Sequence, residues 1–300
     1  MFTPVSSERS PTRRRSISSR LALVTGVNSY SPRMTNSITR INDREATAQD
    51  LAPMAFAGYV HFTAMQVRDG AVRGLDLHLD RLRTASDRLF GRHLSDDTVL
   101  GYLRSAVENA TPDATVTAYV TSRSGEFQAA DPDAGLDMLV KVTDPATPPE
   151  GPLALDVARH ERELPEIKHV GEIAKTHYLR LANDRGFDDA AFEDRQGRLS
   201  EATIWNLAFW DGESVIWPEA DMLTGITMRI LDRRLEAMGV PRLRREVRKE
   251  DLSAELAAVV MNSWSPAIPV SRVGDRNLSE DPTFAKLLHE AFASESPVRL

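Results

Sequence analysis

The chain has 300 residues, of which 41% are hydrophobic and 27% are charged, and its formal net charge is −7. This composition is typical of a globular protein with one large or two medium domains, and the negative charge gives no reason to expect nucleic acid or a membrane as partner. The chain contains no cysteine, which excludes disulfides, thiolate catalysis and cysteine-ligated metals and fits a cytoplasmic location.

The N-terminal segment has a different composition from the rest. The first forty residues hold seven arginines and nine serines but a single acid, Glu8, and little apolar periodicity. We therefore predict a disordered leader over residues 1–44. The run LALVTGV (21–27) follows the arginines as the core of a signal peptide would, but it is short and lacks a cleavage pattern, so export is not expected. Met34 already opens a stretch that resembles the beginning of a domain.

A small N-terminal α/β lobe is predicted over residues 45–123. Strands, identified by β-branched and aromatic residues, are predicted at 59–67, after a turn within 68–74, and at 114–123. Helices, identified by apolar residues three and four apart, are predicted at 76–90 and 96–110. The polar stretch 124–136, which contains Gly and Pro, is predicted to be the linker to a second lobe.

A larger C-terminal α/β lobe is predicted over residues 137–300. Its predicted strands lie at 136–143, 153–160, 189–194 and 203–210 and within 257–273, with a hairpin around Asp211-Gly212. Its predicted helices lie at 172–186, 222–239 and 283–293. The expected fold class is thus α/β, in two lobes.

The common catalytic signatures are missing from the sequence. Its seven histidines show no metal-type spacing, so no metal site is expected. It also contains no Gly-x-Ser-x-Gly elbow, no glycine-rich dinucleotide fingerprint and no P-loop.

Lysine usage is the first positive indication of chemistry. The chain carries 32 arginines but five lysines, and two of these, Lys168 and Lys175, lie in EIKHVGEIAK (166–175). Arginine stays protonated, whereas a desolvated lysine can become an amine nucleophile. Lys168 is expected at a strand-to-helix junction beside a cleft, and Lys175 within a helix and near the surface. Two solvated surface lysines remain the alternative.

Three further segments could contribute to a site. Glu201 stands at the entry of the strand 203–210, which is predicted to be buried on both faces, and a carboxylate there needs a cationic partner. Gly225 opens a helix whose first amides, at Ile226 and Thr227, could bind an anion. Arg81 lies away from the apolar face of its helix, and this position alone predicts a solvated arginine.

Together these segments resemble the class IV aminotransferases. These are the fold-type IV pyridoxal-phosphate enzymes, which include branched-chain and D-amino acid aminotransferases and aminodeoxychorismate lyase. The resemblance runs from about residue 45 to the C-terminus. The family places its Schiff-base lysine about 33 residues before a glutamate, and Asn follows that glutamate by five. Lys168 precedes Glu201 by 33 residues and Asn206 follows it by five, whereas Lys175 precedes Glu201 by only 26.

The resemblance implies a cofactor site. Lys168 would form the Schiff base with pyridoxal 5'-phosphate and then serve as general base and acid, and Glu201 would hydrogen-bond the ring nitrogen. HLDRL (78–82) matches the motif whose arginine binds the phosphate, which makes Arg81 a phosphate ligand. The resemblance implies further cofactor-binding positions. Asn206 matches the asparagine that follows the family's glutamate, and Gly225, Ile226 and Thr227 lie in LTGIT (223–227), which matches the family's phosphate-binding turn. Ser263 lies in the C-terminal segment that resembles the one donating a hydroxyl or amide to the phosphate.

The substrate side departs from the family pattern. Phe62-Thr63 stands where members often have Phe-Glu, and Gln66 stands where some carry a substrate-reading arginine. Tyr119 is the fourth candidate substrate residue. Ile173 replaces the usual tyrosine and Ala202 the usual glycine. These changes argue against a standard branched-chain enzyme.

Three functions remain open from the sequence. The first is an aminotransferase with a small-molecule amino donor and a keto acid acceptor. The second is an aminodeoxychorismate-type lyase that releases pyruvate, towards which IKH (167–169) leans. The third is a non-catalytic cofactor-binding relative. The resemblance also implies a homodimer.

Overall fold

The computed structural model describes residues 37–124, 127–129, 131 and 133–300. Most of the predicted leader, residues 1–36, lies outside the described residues. Within the described ranges, no helix combines the length and the apolar character that crossing a membrane requires.

The secondary structure alternates strands and helices. The strands are β1 (Ile38–Ile41), β2 (Arg44–Glu45), β3 (His61–Val67), β4 (Ala71–Arg73), β5 (Ala114–Ser122), β6 (Leu136–Thr143), β7 (Leu153–Arg159), β8 (Asp189–Glu193), β9 (Leu199–Ala202), β10 (Asn206–Trp210), β11 (Val215–Pro218), β12 (Arg242–Arg245), β13 (Ala257–Met261), β14 (Ile268–Val273), β15 (Arg276–Asn277) and β16 (Pro297–Arg299). The α-helices are α1 (Leu75–Phe90), α2 (Asp96–Val107), α3 (Ile173–Asp184), α4 (Ile226–Ala237) and α5 (Pro282–Ala293). Short helical turns lie at Gln49–Leu51, Pro53–Ala57 and Lys249–Asp251.

The first sheet is antiparallel, with strand order β2-β1-β6-β5-β3. Strand β3 alternates strictly: Met65 and Val67 point to a core shared with α1 and α2, while Phe62 and Gln66 point the other way. One face of this sheet is therefore packed against helices, and the opposite face is left to contribute to a site.

Two boundaries differ from the predicted ones. Strand β1 pairs with β6, so residues 38–41 belong to the first sheet and not to the leader. Strand β6 pairs with β5 as well, so the chain leaves the first sheet after Thr143 and not within 124–136. The physical reason is that the polar stretch lies between two neighbouring antiparallel strands, β5 and β6, and a polar connection of this kind resembles a linker in composition.

The second sheet has the order β12-β11-β10-β13-β14-β7-β8-β9, and β9 also pairs with β10. This extra pairing closes six of the strands into a ring. Apolar side chains fill the ring, among them Leu155, Leu199, Leu207 and Phe209. Ala208 and Trp210 pack instead with α4 and α5 on the outside, which confirms that the strand is buried on both faces.

The strand predicted at 203–210 is interrupted at its start. Strand β9 ends at Ala202, the chain turns, and β10 begins only at Asn206. Thr203 and Trp205 donate hydrogen bonds to the buried carboxylate of Asp189, at 2.6 and 2.9 Å. These bonds satisfy a buried acid and hold the turn, which sets Glu201 opposite Asn206.

Candidate active site

Lys168 is held against the exposed edge of the first sheet. The Phe62 amide donates to the Lys168 carbonyl at 2.7 Å, and the Val170 amide donates to the Val60 carbonyl at 3.1 Å. His61 and His169 form an antiparallel bridge between them. Because β3 is the last strand of its sheet, residues 168–170 pair with its free backbone groups, and this pairing fixes the backbone of Lys168.

The side chain of Lys168 lies over an aromatic pair. Its Nζ is 4.9 Å from the Phe62 ring centroid, and Phe62 stacks on Tyr119 with centroids 5.3 Å apart. Burial lowers the pKa of Lys168 to about 7, helped by the charges of Lys175, Arg81 and Arg162 and opposed by Glu201. A substantial fraction of this amine is therefore neutral near pH 7, as a nucleophile requires.

Glu201 lies between two cations. Its Oε1 is 3.3 Å from Arg162 Nη1, and its Oε2 is 3.8 Å from Lys175 Nζ. The Glu201 side chain is 4% exposed and that of Arg162 is 2% exposed. The sequence predicted a cationic partner for Glu201. The structure provides two, Arg162 and Lys175, neither of which was identified as that partner from the sequence.

The network extends from Arg162 to a second carboxylate. Arg162 Nε lies 2.9 Å from Glu172 Oε1, a close ion contact without an aligned hydrogen bond, and Arg162 Nη2 donates to the Ile167 carbonyl at 2.7 Å. The second bond ties Arg162 to the residue next to Lys168. The network therefore fixes both the carboxylate and the lysine segment.

The start of α4 is a tightly packed turn. Asn206 Nδ2 donates to the Leu223 carbonyl at 2.6 Å, and Asn206 Oδ1 accepts from the Gly225 amide at 3.1 Å. A Cβ at position 225 would lie 2.1 Å from Asn206 Oδ1, so only glycine fits there. Thr227 donates through Oγ1 to the Asn262 carbonyl at 2.7 Å. Ser263 follows in the same turn, so the residues predicted for an anion corner lie together.

Arg81 reaches this turn from α1. Its Nη2 donates to the Thr224 carbonyl at 2.6 Å, which makes it partly buried and not a free surface arginine. Burial lowers its pKa, and the charges of Arg229 and Arg162 act in the same direction. Among the described residues no carboxylate lies within ion-pair distance of Arg81. A dehydrated guanidinium without an anion, beside a helix N-terminus, is an anion-binding arrangement.

The four predicted substrate residues divide into three groups. Phe62 and Tyr119 lie beside Lys168 as described. Thr63 points to the opposite face of β3, where its Oγ1 bonds His78 Nδ1 at 2.6 Å, so its prediction as a substrate residue is wrong because strand alternation turns it into the core. Gln66 shares the face of Phe62, but its Oε1 already accepts hydrogen bonds from Arg68, Thr115 and the Ala146 amide.

The prediction for Lys175 is also wrong. Its side chain is 14% exposed and pairs with Glu201, instead of ending near the surface. The first turn of α3 packs towards Glu201, a tertiary contact that helical periodicity does not report. Two of the five lysines fall in one short segment, and the charge of Glu201 acts on the pKa of both. This concentration of lysine was the sequence signal for the site.

Comparison with known proteins identifies the family. The model of the family described as amino-transferase class IV matches residues 60–273. The chain belongs to the class IV aminotransferases. Members of this family are enzymes that depend on pyridoxal 5'-phosphate, which confirms the predicted cofactor. No curated protein sequence matches the chain significantly.

Solved structures of class IV aminotransferases and their relatives share the fold. A branched-chain aminotransferase from Thermoproteus uzoniensis, with norvaline, is similar over 85% of this chain and 94% of its own at 16% identity and a TM-score of 0.75. A PLP-bound hypothetical aminotransferase from Mycobacterium tuberculosis is similar over 86% of this chain and 99% of its own, at 20% identity and a TM-score of 0.71. A putative 4-amino-4-deoxychorismate lyase from Legionella pneumophila is similar over 78% of this chain and 90% of its own, at 18% identity and a TM-score of 0.67. These likenesses confirm the fold-type IV α/β architecture.

The residues of this chain fit a phosphate-bearing aromatic aldehyde. Lys168 offers an amine that is partly neutral near pH 7. Arg81 offers a cation without an anion among the described residues, next to the first amides of α4. Asn206 lies so close to Gly225 that the turn presenting those amides has no room for a side chain at position 225. These three features are what covalent attachment and phosphate binding require.

Proposed function

We propose that the chain is an aminotransferase that moves an amino group from an amino acid or amine to a keto acid, with Lys168 as the covalent attachment point of the cofactor. The observation that carries this proposal is the position of the Lys168 amine: over the Phe62 ring, partly neutral at pH 7 and surrounded by cations. Pyridoxal phosphate, when bound, supplies an electron sink that stabilises negative charge on the substrate carbon next to the amine.

Lys168 has two tasks in this proposal. As a neutral amine it would attach to the aldehyde carbon of the cofactor with loss of water. As a free amine it would accept the proton of the substrate carbon that bears the amino group and deliver it to the former aldehyde carbon of the cofactor. Both tasks need an amine that changes protonation near the working pH, which a pKa of about 7 provides. The apolar face of Phe62 excludes water from one side of the amine.

The remaining residues hold and orient the cofactor. Arg81, the amides of Ile226 and Thr227 and the hydroxyl of Ser263 are proposed to bind the phosphate, and Glu201 to hold the proton of the ring nitrogen. Asn206 uses both ends of its amide on Leu223 and Gly225, so its proposed role is to shape the phosphate turn and not to touch the cofactor.

A pyruvate-releasing lyase of the aminodeoxychorismate type is the second candidate. IKH (167–169) and the structural likeness to the putative Legionella lyase favour it. A lyase needs no keto acid acceptor, because the bond that breaks lies within one substrate.

A donor screen with and without a keto acid tests the proposal and separates the two candidates. The protein loaded with cofactor is incubated with a panel of amines and amino acids, and amino transfer and pyruvate are measured separately. We expect amino transfer that requires the keto acid and that is lost in the Lys168→Ala variant. Pyruvate formed over many turnovers without an acceptor, from a substrate other than alanine, would establish the lyase, and neither product across the panel would contradict both.

We also propose that the protein acts as a cytoplasmic homodimer. The absence of cysteine supports the location, and large apolar side chains that are left exposed support the assembly: Phe56 is 87% and Ile173 is 86% exposed. Sedimentation of the loaded protein should give twice the chain mass of 33.3 kDa, and a monomer at micromolar concentration would contradict the dimer.

A further inference from the structure

Lys175 is a buried cation in an unfavourable place. It is the third residue of α3, within the first helical turn, where the helix dipole and the free amides disfavour positive charge. Its side chain is 14% exposed, and burial is the largest cause that lowers the pKa of Lys175. A lysine in such a position needs a compensating anion. Glu201, 3.8 Å from its Nζ, is that anion.

Lys175 completes a network of alternating charges around this pair. Lys175, Glu201, Arg162 and Glu172 form a chain of alternating charges, linked by contacts of 3.8, 3.3 and 2.9 Å. Without Lys175, Glu201 would keep one cationic contact, with Arg162, instead of two. Removal of one partner of a buried ion pair leaves the other charge uncompensated, so the Glu201 carboxylate would be less firmly held.

We propose that Lys175 is a positioning residue of the reaction, which holds the Glu201 carboxylate through its ammonium and completes the buried charge network that is tied to the Lys168 segment. This inference rests on the proposed role of Lys168 and Glu201. It assigns to Lys175 no contact with substrate or cofactor, since its ammonium is directed at Glu201.

The electrostatics of Lys168 agree with this role. Among the causes that lower the pKa of Lys168, the charge of Lys175 comes directly after burial and ahead of Arg81 and Arg162. A cationic neighbour is an established means of lowering the pKa of a nucleophilic lysine. The titratable and charged groups that face the Lys175–Glu201 pair or its network are Lys168, Arg162, Glu172, Asp189, His160 and His169. Burial lowers the pKa of His160, which favours its neutral form.

The test uses matched variants of the full chain. Lys175→Met and Lys175→Gln remove the charge at similar length, and Lys175→Arg keeps it. Lys286→Met is the control, because Lys286 lies on the surface of α5 and its side chain is 77% exposed. The rate at which pyridoxal phosphate attaches to the cofactor-free protein is followed by absorbance from pH 5 to 10, and thermal unfolding of the same samples checks the fold.

The expected result is a shift in the pH dependence of attachment. In the wild-type protein, Lys175→Arg and the control, the rate should rise with pH through a midpoint near 7. In the two neutral variants the midpoint should rise by about one pH unit, so attachment at pH 7 should be about fivefold slower. Rescue by arginine would show that charge, and not packing, is responsible.

Other outcomes distinguish a failure of the proposed function from a failure of this inference alone. If the wild-type protein forms no covalent adduct, the proposed function fails and this inference falls with it. If the wild-type adduct forms but a folded neutral variant keeps the wild-type midpoint, the inference alone is overturned. A shifted midpoint in Lys175→Arg, or failure of both neutral variants to fold, would give Lys175 a structural role and also overturn it.

Discussion

Replacement of Gly225 by alanine should damage both the fold and the phosphate site. The new Cβ would lie 2.1 Å from Asn206 Oδ1 and 3.3 Å from its Cγ, so the amide must move. Asn206 is only 6% exposed and makes two hydrogen bonds, with Leu223 and Gly225. Loss of two bonds at about 1 kcal/mol each, with about 1–3 kcal/mol for overpacking, predicts that the free energy of unfolding falls by about 3–5 kcal/mol.

Chemical denaturation of the cofactor-free protein measures this change, and a pyridoxal phosphate titration follows at a temperature where the variant is folded. Affinity should fall because the amides of Ile226 and Thr227 move with the turn. Gly101→Ala is the matched control, since Gly101 lies within α2 with nothing near its Cβ position. It should gain about 0.5–1 kcal/mol, as alanine does over glycine inside a helix. A Gly225→Ala protein within about 0.5 kcal/mol of wild type, with unchanged affinity, would refute the reasoning.

Further variants test other parts of the site. Arg81→Ala should weaken cofactor binding substantially while the thermal unfolding of the cofactor-free protein changes little, because among the described residues its side chain makes one hydrogen bond, to Thr224; lower stability with unchanged affinity would contradict the phosphate role. Phe62→Ala should expose Lys168 to water and raise its pKa, so adduct formation at pH 7 should slow, and an unchanged pH profile would contradict the aromatic role. A protein that begins at Met34 should fold and bind cofactor as the full chain does, since β1 begins only at Ile38; loss of folded protein would give the leader a structural role.

The fold could be predicted from the sequence where local pattern and burial agree. The alternation of β3 and the apolar periodicity of α1 place these two elements within one or two residues, whereas α4 begins at Ile226, four residues after the predicted start. Where a tertiary contact overrides the local pattern, prediction failed. The buried acid Asp189 draws Thr203 and Trp205 into a turn that interrupts an otherwise continuous strand pattern.

The candidate site was predictable to the extent that the family resemblance places its residues. The sequence separation between Lys168 and Glu201 selected them, and the structure brings both to one charged network, although their roles stay predictions. Arg162 and Lys175 could not be assigned from sequence, because each acts through a contact with a distant carboxylate. Thr63 was assigned to the site from the sequence but points into the core. Its neighbour Phe62 faces the site, and successive residues of a strand point to opposite faces.

Reductive trapping of the cofactor tests the central claim most directly. Borohydride treatment of the loaded protein, followed by peptide mapping, should place a pyridoxyl adduct on Lys168 alone among the five lysines. The adduct should be absent in Lys168→Ala and present on Lys168 in Lys175→Arg. An adduct on Lys175, on both lysines or on no lysine would contradict the assignment of Lys168 as the attachment point.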